Sequence, residues 1–222
     1  MQKDTLKNKF ELLSEEVIEK VARKYRKSFN PENIETPIFI LILGPSAVGK
    51  STVINKLLEI YPDKLEYVTP YTTRPLREGE KNKISIDMDK FIEMEKKREF
   101  VVVNNLYNIK YGTPKKLIRK IIKEGKIPIL DFPLDRIDAI KSSSYELFTI
   151  YLFPQNGIIL ENRIIKERGE AIRVDEGMRE LAYLLELKGI DERINYSIVN
   201  YENRIENTIS YFEEIIDKLI NI

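Results

Sequence analysis

The chain has 222 residues, with 37 Lys and Arg against 36 Asp and Glu, so its formal net charge is +1. This balance gives no general attraction to nucleic acid or to an anionic membrane surface, and we expect neither as a partner. The sequence contains no cysteine and no histidine. Their absence excludes disulfides, thiolate and imidazole metal sites, and histidine acid–base catalysis. Phosphoryl transfer remains possible, because it depends mainly on positioned cations and Mg²⁺.

The location of the protein is predicted from what the sequence lacks. No apolar run approaches the roughly 20 residues that a membrane-spanning helix needs. The first nine residues are polar and hold no apolar segment of the kind that a secretory signal requires. We therefore expect a cytoplasmic protein.

The first predicted element is an amphipathic helix over residues 4–28. Its apolar residues recur at three- and four-residue spacings: Leu6, Phe10, Leu13, Val17, Val21 and Tyr25. A stretch rich in turn-forming residues, 28–33, ends the helix. We interpret residues 1–36 as an accessory helix that packs on the core. The alternative is a partner contact, including a possible homodimer through this N-terminal helix.

Apolar strands and helical patterns alternate along residues 37–222. Strands are predicted at 38–43, 127–130, 147–153 and 198–199, and helices at 52–60, 91–98, 114–124, 158–167, 175–187 and 205–219. Continuous apolar strands are typical of a sheet that is covered on both faces. The alternation indicates an α/β domain built on a doubly wound parallel sheet.

A phosphate-binding loop is predicted between the first strand and the helix that follows it. Residues 44–51 read G-P-S-A-V-G-K-S, which fits the P-loop pattern G-x-x-x-x-G-K-[ST]. In such a loop the backbone N–H groups surround the phosphates, the lysine reaches the β- and γ-phosphates, and the hydroxyl ligates Mg²⁺. The residues predicted to bind ATP are Gly44, Ser46, Ala47, Val48, Gly49, Lys50, Ser51 and Thr52, with Ser51 also a metal ligand.

Asp131 follows the second predicted strand directly. A carboxylate at the carboxyl end of a parallel strand lies over the ligand crevice. Asp131 is therefore a candidate either for the Mg²⁺ shell or for orienting the phosphate acceptor. The alternative is that it caps the helix that follows.

Beyond the loop, the sequence resembles the guanylate kinases. Residues 72–80 read T-T-R-P-L-R-E-G-E, close to that family's T-T-R-x-x-R-x-G-E signature, and Tyr111-Gly112-Thr113 and Asp131 follow in family order. The resemblance covers about residues 37–219. It implies a P-loop NTPase fold with an acceptor-binding insert near 69–113 and an arginine lid near 155–180.

The resemblance also implies roles for individual residues. Arg74, Arg77 and Tyr111 match the groups that grip the acceptor's phosphate, Glu80 matches a residue that steadies those arginines, and Thr113 matches one that contacts the base. Two guanidinium groups and a phenol suit a phosphate dianion, because they form charge-assisted hydrogen bonds with it. Lid arginines that close on the transferred phosphoryl group are matched by Arg168 and Arg179, with Arg163 and Arg173 as nearby alternatives.

The positions that read guanine in the family differ in this chain. A serine and two acidic residues of the family are replaced by Pro70, Val102 and Pro133, and a phosphate-binding tyrosine is replaced by Lys83. The residues predicted to bind the acceptor's phosphate, the phosphate grip, are thus mostly retained, while most of the residues that contact the base are changed. Asn104 or Asn105 would be a substitute only if the strand register shifted by two or three residues.

These observations predict an ATP-dependent phosphotransferase of the guanylate kinase type, with Mg²⁺ as cofactor and ATP as co-substrate. The acceptor would be a small phosphorylated molecule, GMP or dGMP by resemblance. One alternative is a kinase for another nucleotide or for a phosphorylated metabolite. Another is a nucleotide-binding or scaffold module without turnover.

Overall fold

The computed structural model describes residues 13–26, 36–106, 109–140, 145–168, 171–187 and 190–220. In chain order the elements are α1 (Glu15–Lys24), β1 (Ile38–Leu43), α2 (Lys50–Ile60), β2 (Leu65–Tyr67), β3 (Tyr71–Thr72), β4 (Ile84–Ser85), α3 (Met88–Lys96), β5 (Phe100–Leu106), β6 (Ile109–Pro114), α4 (Lys115–Lys123), β7 (Ile127–Asp131), a 3₁₀ helix (Leu134–Ala139), β8 (Glu146–Pro154), α5 (Gly157–Arg168), α6 (Ala171–Glu186), β9 (Tyr196–Asn200) and α7 (Ile205–Ile220).

Five parallel strands form the central sheet in the order β2-β7-β1-β8-β9. All six residues of β1 are buried, because this strand lies in the middle of the sheet with helices on both faces. The four strands predicted from apolar runs are confirmed. The edge strand β2 has only three residues, too few to show a periodic pattern.

The predicted helices after the first strand are all present, with boundaries shifted by a few residues. Helix α3 begins earlier than predicted, at Met88, because the Asp87 side chain caps it by accepting a hydrogen bond from the Lys90 N–H. No helix in the described ranges is both long enough and apolar enough to cross a membrane.

Helix α1 is part of the core of its own chain. Its residues Ile18, Val21 and Ala22 are buried, and the Ser197 hydroxyl of β9 donates to the Ala22 carbonyl at 2.7 Å. Packing on the core, as predicted, therefore occupies the apolar side of the helix. The continuous helix predicted over 4–28 is wrong at Ser14, because this residue is extended and its side chain caps a helix that begins at Glu15. Residues 1–12 and 27–35 of the predicted N-terminal segment lie outside the described residues, and a homodimer contact stays a prediction.

A second, four-stranded sheet runs from Tyr71 to Pro114, close to the bounds 69–113 of the predicted acceptor-binding insert, and has the order β4-β3-β6-β5. Its β5–β6 hairpin is antiparallel, with a bulge between Phe100 and Val102. The extra residue moves Phe100 to the face of helix α3, where its ring stacks on Phe91 at 4.8 Å. Val102 consequently points to the opposite face, toward the central domain.

Candidate functional site

The loop between β1 and α2 depends on two glycines. Gly44 has φ 130° and Gly49 has φ 109°. A Cβ on Gly44 would lie 2.5 Å from the Leu152 carbonyl oxygen, and one on Gly49 would lie 2.6 Å from Asn200 Nδ2. Both positions therefore need glycine for conformation and for space. Ala47 takes a left-handed φ of 59° between them, which costs a non-glycine residue about 1–2 kcal/mol.

Asn200, at the end of β9, supports this loop from below. Its side-chain Nδ2 donates to the Val48 carbonyl oxygen at 2.8 Å, and its Oδ1 accepts from the Thr208 hydroxyl at 3.0 Å. The Asn200 side chain is buried, and these two hydrogen bonds satisfy both ends of its amide. Neither Asn200 nor Thr208 was among the predicted site residues.

Lys50 is the first residue of α2 and folds back over the loop. Its Nζ donates to the carbonyl oxygens of Gly44 and Pro45, both at 2.7 Å. Burial is the main influence on the Lys50 pKa and lowers it, while the carboxylates of Asp131 and Glu180 raise it. Ser51, the predicted metal ligand, is exposed beside it, as is Thr52.

Two carboxyl groups, each held by a buried tyrosine, flank Lys50. The Tyr67 hydroxyl donates to Asp131 Oδ1 at 2.5 Å, and the Tyr151 hydroxyl donates to Glu180 Oε1 at 2.6 Å. Asp131 was predicted at this end of the sheet. Glu180 was not, because a glutamate within an amphipathic helix gives no sequence signal of its own.

The predicted phosphate grip is assembled around Arg74. Its Nη1 and Nη2 atoms form a bidentate pair with Glu80 at 2.8 and 2.7 Å, and its Nε donates to the Tyr111 hydroxyl at 3.3 Å. The hydrogen bond from Arg74 is the main reason why the Glu80 pKa falls to about 2. The same pair raises the pKa of Arg74. Glu80 therefore holds the Arg74 guanidinium group in place.

Lys83 joins this cluster, whereas Arg77 is only partly drawn into it. Lys83 Nζ lies 3.7 Å from Glu80 Oε1, and its side chain is 16% exposed. Arg77 donates its backbone N–H to Glu80 Oε2 at 3.0 Å, but the residue is exposed. A lysine at a position where a phosphate-binding tyrosine was expected thus adds a cation to the grip.

The loop and the grip influence each other electrostatically. Lys83 lowers the pKa of Lys50, as one of the smaller causes after burial. Burial and Asp131 together raise the pKa of Tyr67 well above its usual range, and Glu80 adds to that shift. Both clusters therefore face one crevice at the carboxyl ends of the central strands, where ligands bind in open α/β sheets.

The predicted lid arginines stay predictions. The side chain of Arg168 lies outside the described residues, and Arg179 is exposed. Arg163 and Arg173 are partly buried. Gly177 lets α6 approach the loop closely, since a Cβ there would be 3.3 Å from Pro45 Cβ. One turn further along this helix, Glu180 is the residue that faces Lys50.

The positions expected to contact the base are buried in a largely apolar setting. Val102 stands opposite Thr113 in the β5–β6 hairpin, directly after the bulge. Val102 is 6% exposed and belongs to the main hydrophobic core. Pro70 is buried beside this sheet, and Pro133 precedes the 3₁₀ helix that packs against β5. No carboxylate occupies any of these three positions.

Comparison with known proteins identifies the family. The family model described as "Guanylate kinase" matches residues 36–219, most of the chain. The chain belongs to the guanylate kinase family. Among its relatives, a guanylate kinase of Nostoc is 34% identical over 63% of this chain and 70% of its own length. One of Clostridium tetani is 28% identical over 82% of this chain and 86% of its own.

Two further comparisons concern the length of the matched region and the fold of the chain. A guanylate kinase of Mesoplasma florum is 31% identical over 80% of this chain, which spans 59% of that protein's length. The crystal structure of guanylate kinase from Anaplasma phagocytophilum superposes with a TM-score of 0.61 at 21% identity, covering 82% of this chain and 85% of that one. This likeness confirms the predicted α/β fold of the guanylate kinase family. The relatives do not favour the alternatives of a different metabolite kinase or a scaffold module.

Proposed function

We propose that this chain is an ATP-dependent nucleoside monophosphate kinase of the guanylate kinase type. Family membership supports the reaction class, and GMP or dGMP is the acceptor that the relatives' name implies. The observation that carries the proposal is one crevice that holds a glycine loop with Lys50 on one side and the Arg74–Glu80–Tyr111 grip on the other. A donor phosphate and an acceptor phosphate would meet there.

In the proposed reaction the loop binds the ATP phosphates, and Lys50 exchanges its contacts with Gly44 and Pro45 for phosphate oxygens. Arg74, Lys83 and the Tyr111 hydroxyl hold the acceptor's phosphate, with Arg77 turning inward to join them. Because a phosphate dianion is already nucleophilic, no general base is required. Positioning and charge neutralisation therefore supply most of the rate enhancement.

The donor set in the crevice fits Mg²⁺. Ser51 and Asp131 offer the hard oxygen ligands that Mg²⁺ prefers, and Tyr67 occupies only one oxygen of Asp131. In the described parts of the chain, no three acidic residues converge on one point. This agrees with a cation that takes few protein ligands and completes its shell with phosphate oxygens and water. When bound, Mg²⁺ would neutralise charge on the transferred phosphoryl group.

Weakened guanine selectivity is the second part of the proposal. Val102 leaves the N1 and N2 donors of guanine without the carboxylate that accepts them in the family. Each unpaired group in a partly dry pocket costs roughly 1–3 kcal/mol. Two such losses make GMP on the order of 10²-fold or more worse than for a guanylate kinase with that carboxylate. The phosphate grip does not depend on the base, so several monophosphates should bind.

The test is kcat/KM for GMP, dGMP, AMP, CMP, UMP and dTMP, and for a set of sugar phosphates, in one assay coupled to ADP release. Turnover of nucleoside monophosphates with a flat or shifted profile is expected. Turnover of sugar phosphates alone would overturn the reaction class. A clear preference for GMP in the ordinary kinase range, roughly 1–100 s⁻¹, would overturn the weakened selectivity. The cytoplasmic location and the absence of a nucleic-acid partner stay predictions.

A further inference from the structure

Asn104 is a buried polar residue that has no role in the proposed phosphate sites. It lies on β5 directly opposite Tyr111, and Tyr111 in turn lies opposite Thr72 of β3. Residues that face each other across strands share one face of a sheet. Asn104 is therefore on the same face as the Tyr111 hydroxyl, which accepts the hydrogen bond from Arg74.

The side-chain oxygen of Asn104 is unsatisfied among the described residues. The residue is 7% exposed, and its Oδ1 is buried without a hydrogen-bond partner among the described residues. A buried side-chain oxygen without a partner is rare in folded proteins, since the desolvation penalty is then uncompensated. Its position beside the acceptor's phosphate grip points to a ligand group as the missing partner.

The layout of the insert sheet places this amide at the base end of a nucleotide. The grip centres on β3 and β6, whereas Asn104 lies on β5, the last strand of the sheet. Two strand spacings separate β3 from β5, about 10 Å. A nucleotide whose phosphate is held at Arg74 would lie across the sheet with its base over β5. Because the 3₁₀ helix packs against β5, the insert must swing away from it to admit the base.

We propose that Asn104 reads the edge of the acceptor's base in place of a carboxylate; this inference rests on the proposed function. A carboxylate only accepts hydrogen bonds, so it selects the two adjacent donors of guanine. An amide accepts one hydrogen bond and donates another. Adenine offers such a pair at N6 and N7, and guanine offers one at N1 and O6. Asn104 therefore defines a site for bases that present a donor beside an acceptor, and GMP has no special advantage there.

The neighbouring residue Asn105 provides a matched control. It lies opposite Lys110, and the Lys110 ammonium group sits over the Phe91 ring of α3 at 5.8 Å. Asn105 therefore belongs to the other face of the sheet, and it is exposed. Asn→Asp introduces the same charge and the same small change in size at either position. Only the substitution at 104 alters the proposed base site.

The experiment measures kcat/KM and equilibrium binding of GMP and AMP for the wild type, Asn104→Asp, Asn104→Leu and Asn105→Asp. Asn104→Asp should raise the GMP-to-AMP ratio by about tenfold or more, because it supplies a second acceptor. Asn104→Leu should weaken both nucleotides by about tenfold to a hundredfold. Asn105→Asp should leave the ratio unchanged.

Two outcomes separate this inference from the proposed function. Turnover with a GMP-to-AMP ratio that responds equally to Asn104→Asp and Asn105→Asp would overturn the role of Asn104 alone. Binding that responds to Asn104 without turnover of any monophosphate would overturn the proposed reaction and leave the base site standing. If Asn104→Asp is unstable, Asn104→Leu still tests the inference, since a leucine of similar size suits a buried position.

Discussion

The Asn200 amide and the Val48 carbonyl are joined by a 2.8 Å hydrogen bond that ties the last central strand to the glycine loop. This bond fixes the middle of a loop whose glycines have left-handed φ angles and whose Ala47 is strained. The Thr208 hydroxyl of α7 holds the other end of the amide. The loop therefore owes its resting shape partly to residues that are about 150 positions away in sequence and would not touch the nucleotide.

Asn200→Leu should loosen the loop without leaving a cavity. It leaves the Val48 carbonyl and the Thr208 hydroxyl unpaired, so we expect a loss of about 1–3 kcal/mol in the free energy of unfolding. The KM for ATP should also rise. Denaturant unfolding and steady-state kinetics measure the two effects, with Thr208→Ser, which keeps the hydroxyl, as the control. A loss of stability with an unaltered KM for ATP would show that Asn200 stabilises the core but does not position the loop for ATP.

Lys50→Ala should abolish turnover with little change in fold. Removing a positioned cation that neutralises developing charge costs about 10²–10³-fold or more in kcat. The fold should tolerate the change, since losing the two hydrogen bonds that Lys50 donates to the Gly44 and Pro45 carbonyls costs only about 1–3 kcal/mol. Lys56→Ala, on the same helix and exposed beside Glu59, is the matched control. Equal ATP turnover by wild type and Lys50→Ala would refute the enzyme assignment.

Arg74→Ala should affect the acceptor far more than ATP. Its guanidinium group lies between Glu80 and Tyr111, on the acceptor side of the crevice. We expect the acceptor's kcat/KM to fall by about 10²-fold or more, as for the loss of a charge-assisted bidentate contact. The KM for ATP should change little. Arg119→Ala, an exposed arginine on α4, controls for net charge, and comparable effects on both substrates would contradict the assignment.

The Arg74–Glu80 pair should also contribute to the loss of unfolding free energy at acid pH, the acid limb of the curve of stability against pH. The folded-state pKa of Glu80 is about 2, below its ordinary value of 4.5. A depressed carboxyl pKa contributes stability that is present above pH 4.5 and is lost as pH falls through about 2. We expect about 1 kcal/mol, because the crevice admits water. Glu80→Gln should flatten this limb, and an unchanged acid limb would mean that the pair is too well solvated to matter.

The sequence was most informative where function depends on a local pattern. The spacing of Gly44, Gly49 and Lys50 and the Thr-Thr-Arg signature are short motifs whose backbone requirements are visible in one segment. The sequence did not show which face of β5 Asn104 lies on. That face depends on the bulge near Val101, and a bulge leaves no pattern in the sequence. Lys83 was interpreted as a departure because its distance from Arg74 depends on a turn that is shorter than in the family.

Glu180 was missed because its significance arises only from packing. Its helix approaches the loop through Gly177, which has no side chain to hold the two apart. Its partners Tyr151 and Lys50 come from distant segments of the chain. An interaction among three separate elements has no fixed spacing in sequence, so no periodicity or motif could identify it.

Glu180→Gln is expected to stabilise the protein near neutral pH and to tighten ATP binding. Burial of the Glu180 carboxyl raises its pKa above 4.5, and Asp135 and Glu176 add to the rise. The hydrogen bond from Tyr151 and the charge of Lys50 oppose it. An acid whose folded pKa is raised stabilises the fold most below its unfolded pKa, and that contribution is lost as pH rises through the folded pKa. Glutamine cannot ionise, so the variant does not lose stability in this way as pH rises.

The same substitution should strengthen ATP binding, because glutamine removes a carboxyl group whose ionised form would repel the ATP phosphates near Lys50. We expect ATP to bind roughly several-fold more tightly to Glu180→Gln at the upper end of the pH range, with the difference shrinking as pH falls and Glu180 takes up a proton. Unfolding free energy and ATP affinity between pH 4 and 8 measure both effects, and Glu186→Gln, exposed on the same helix, is the control. A Glu180→Gln protein less stable than the wild type at pH 7 would show that attraction to Lys50 outweighs the cost of burial.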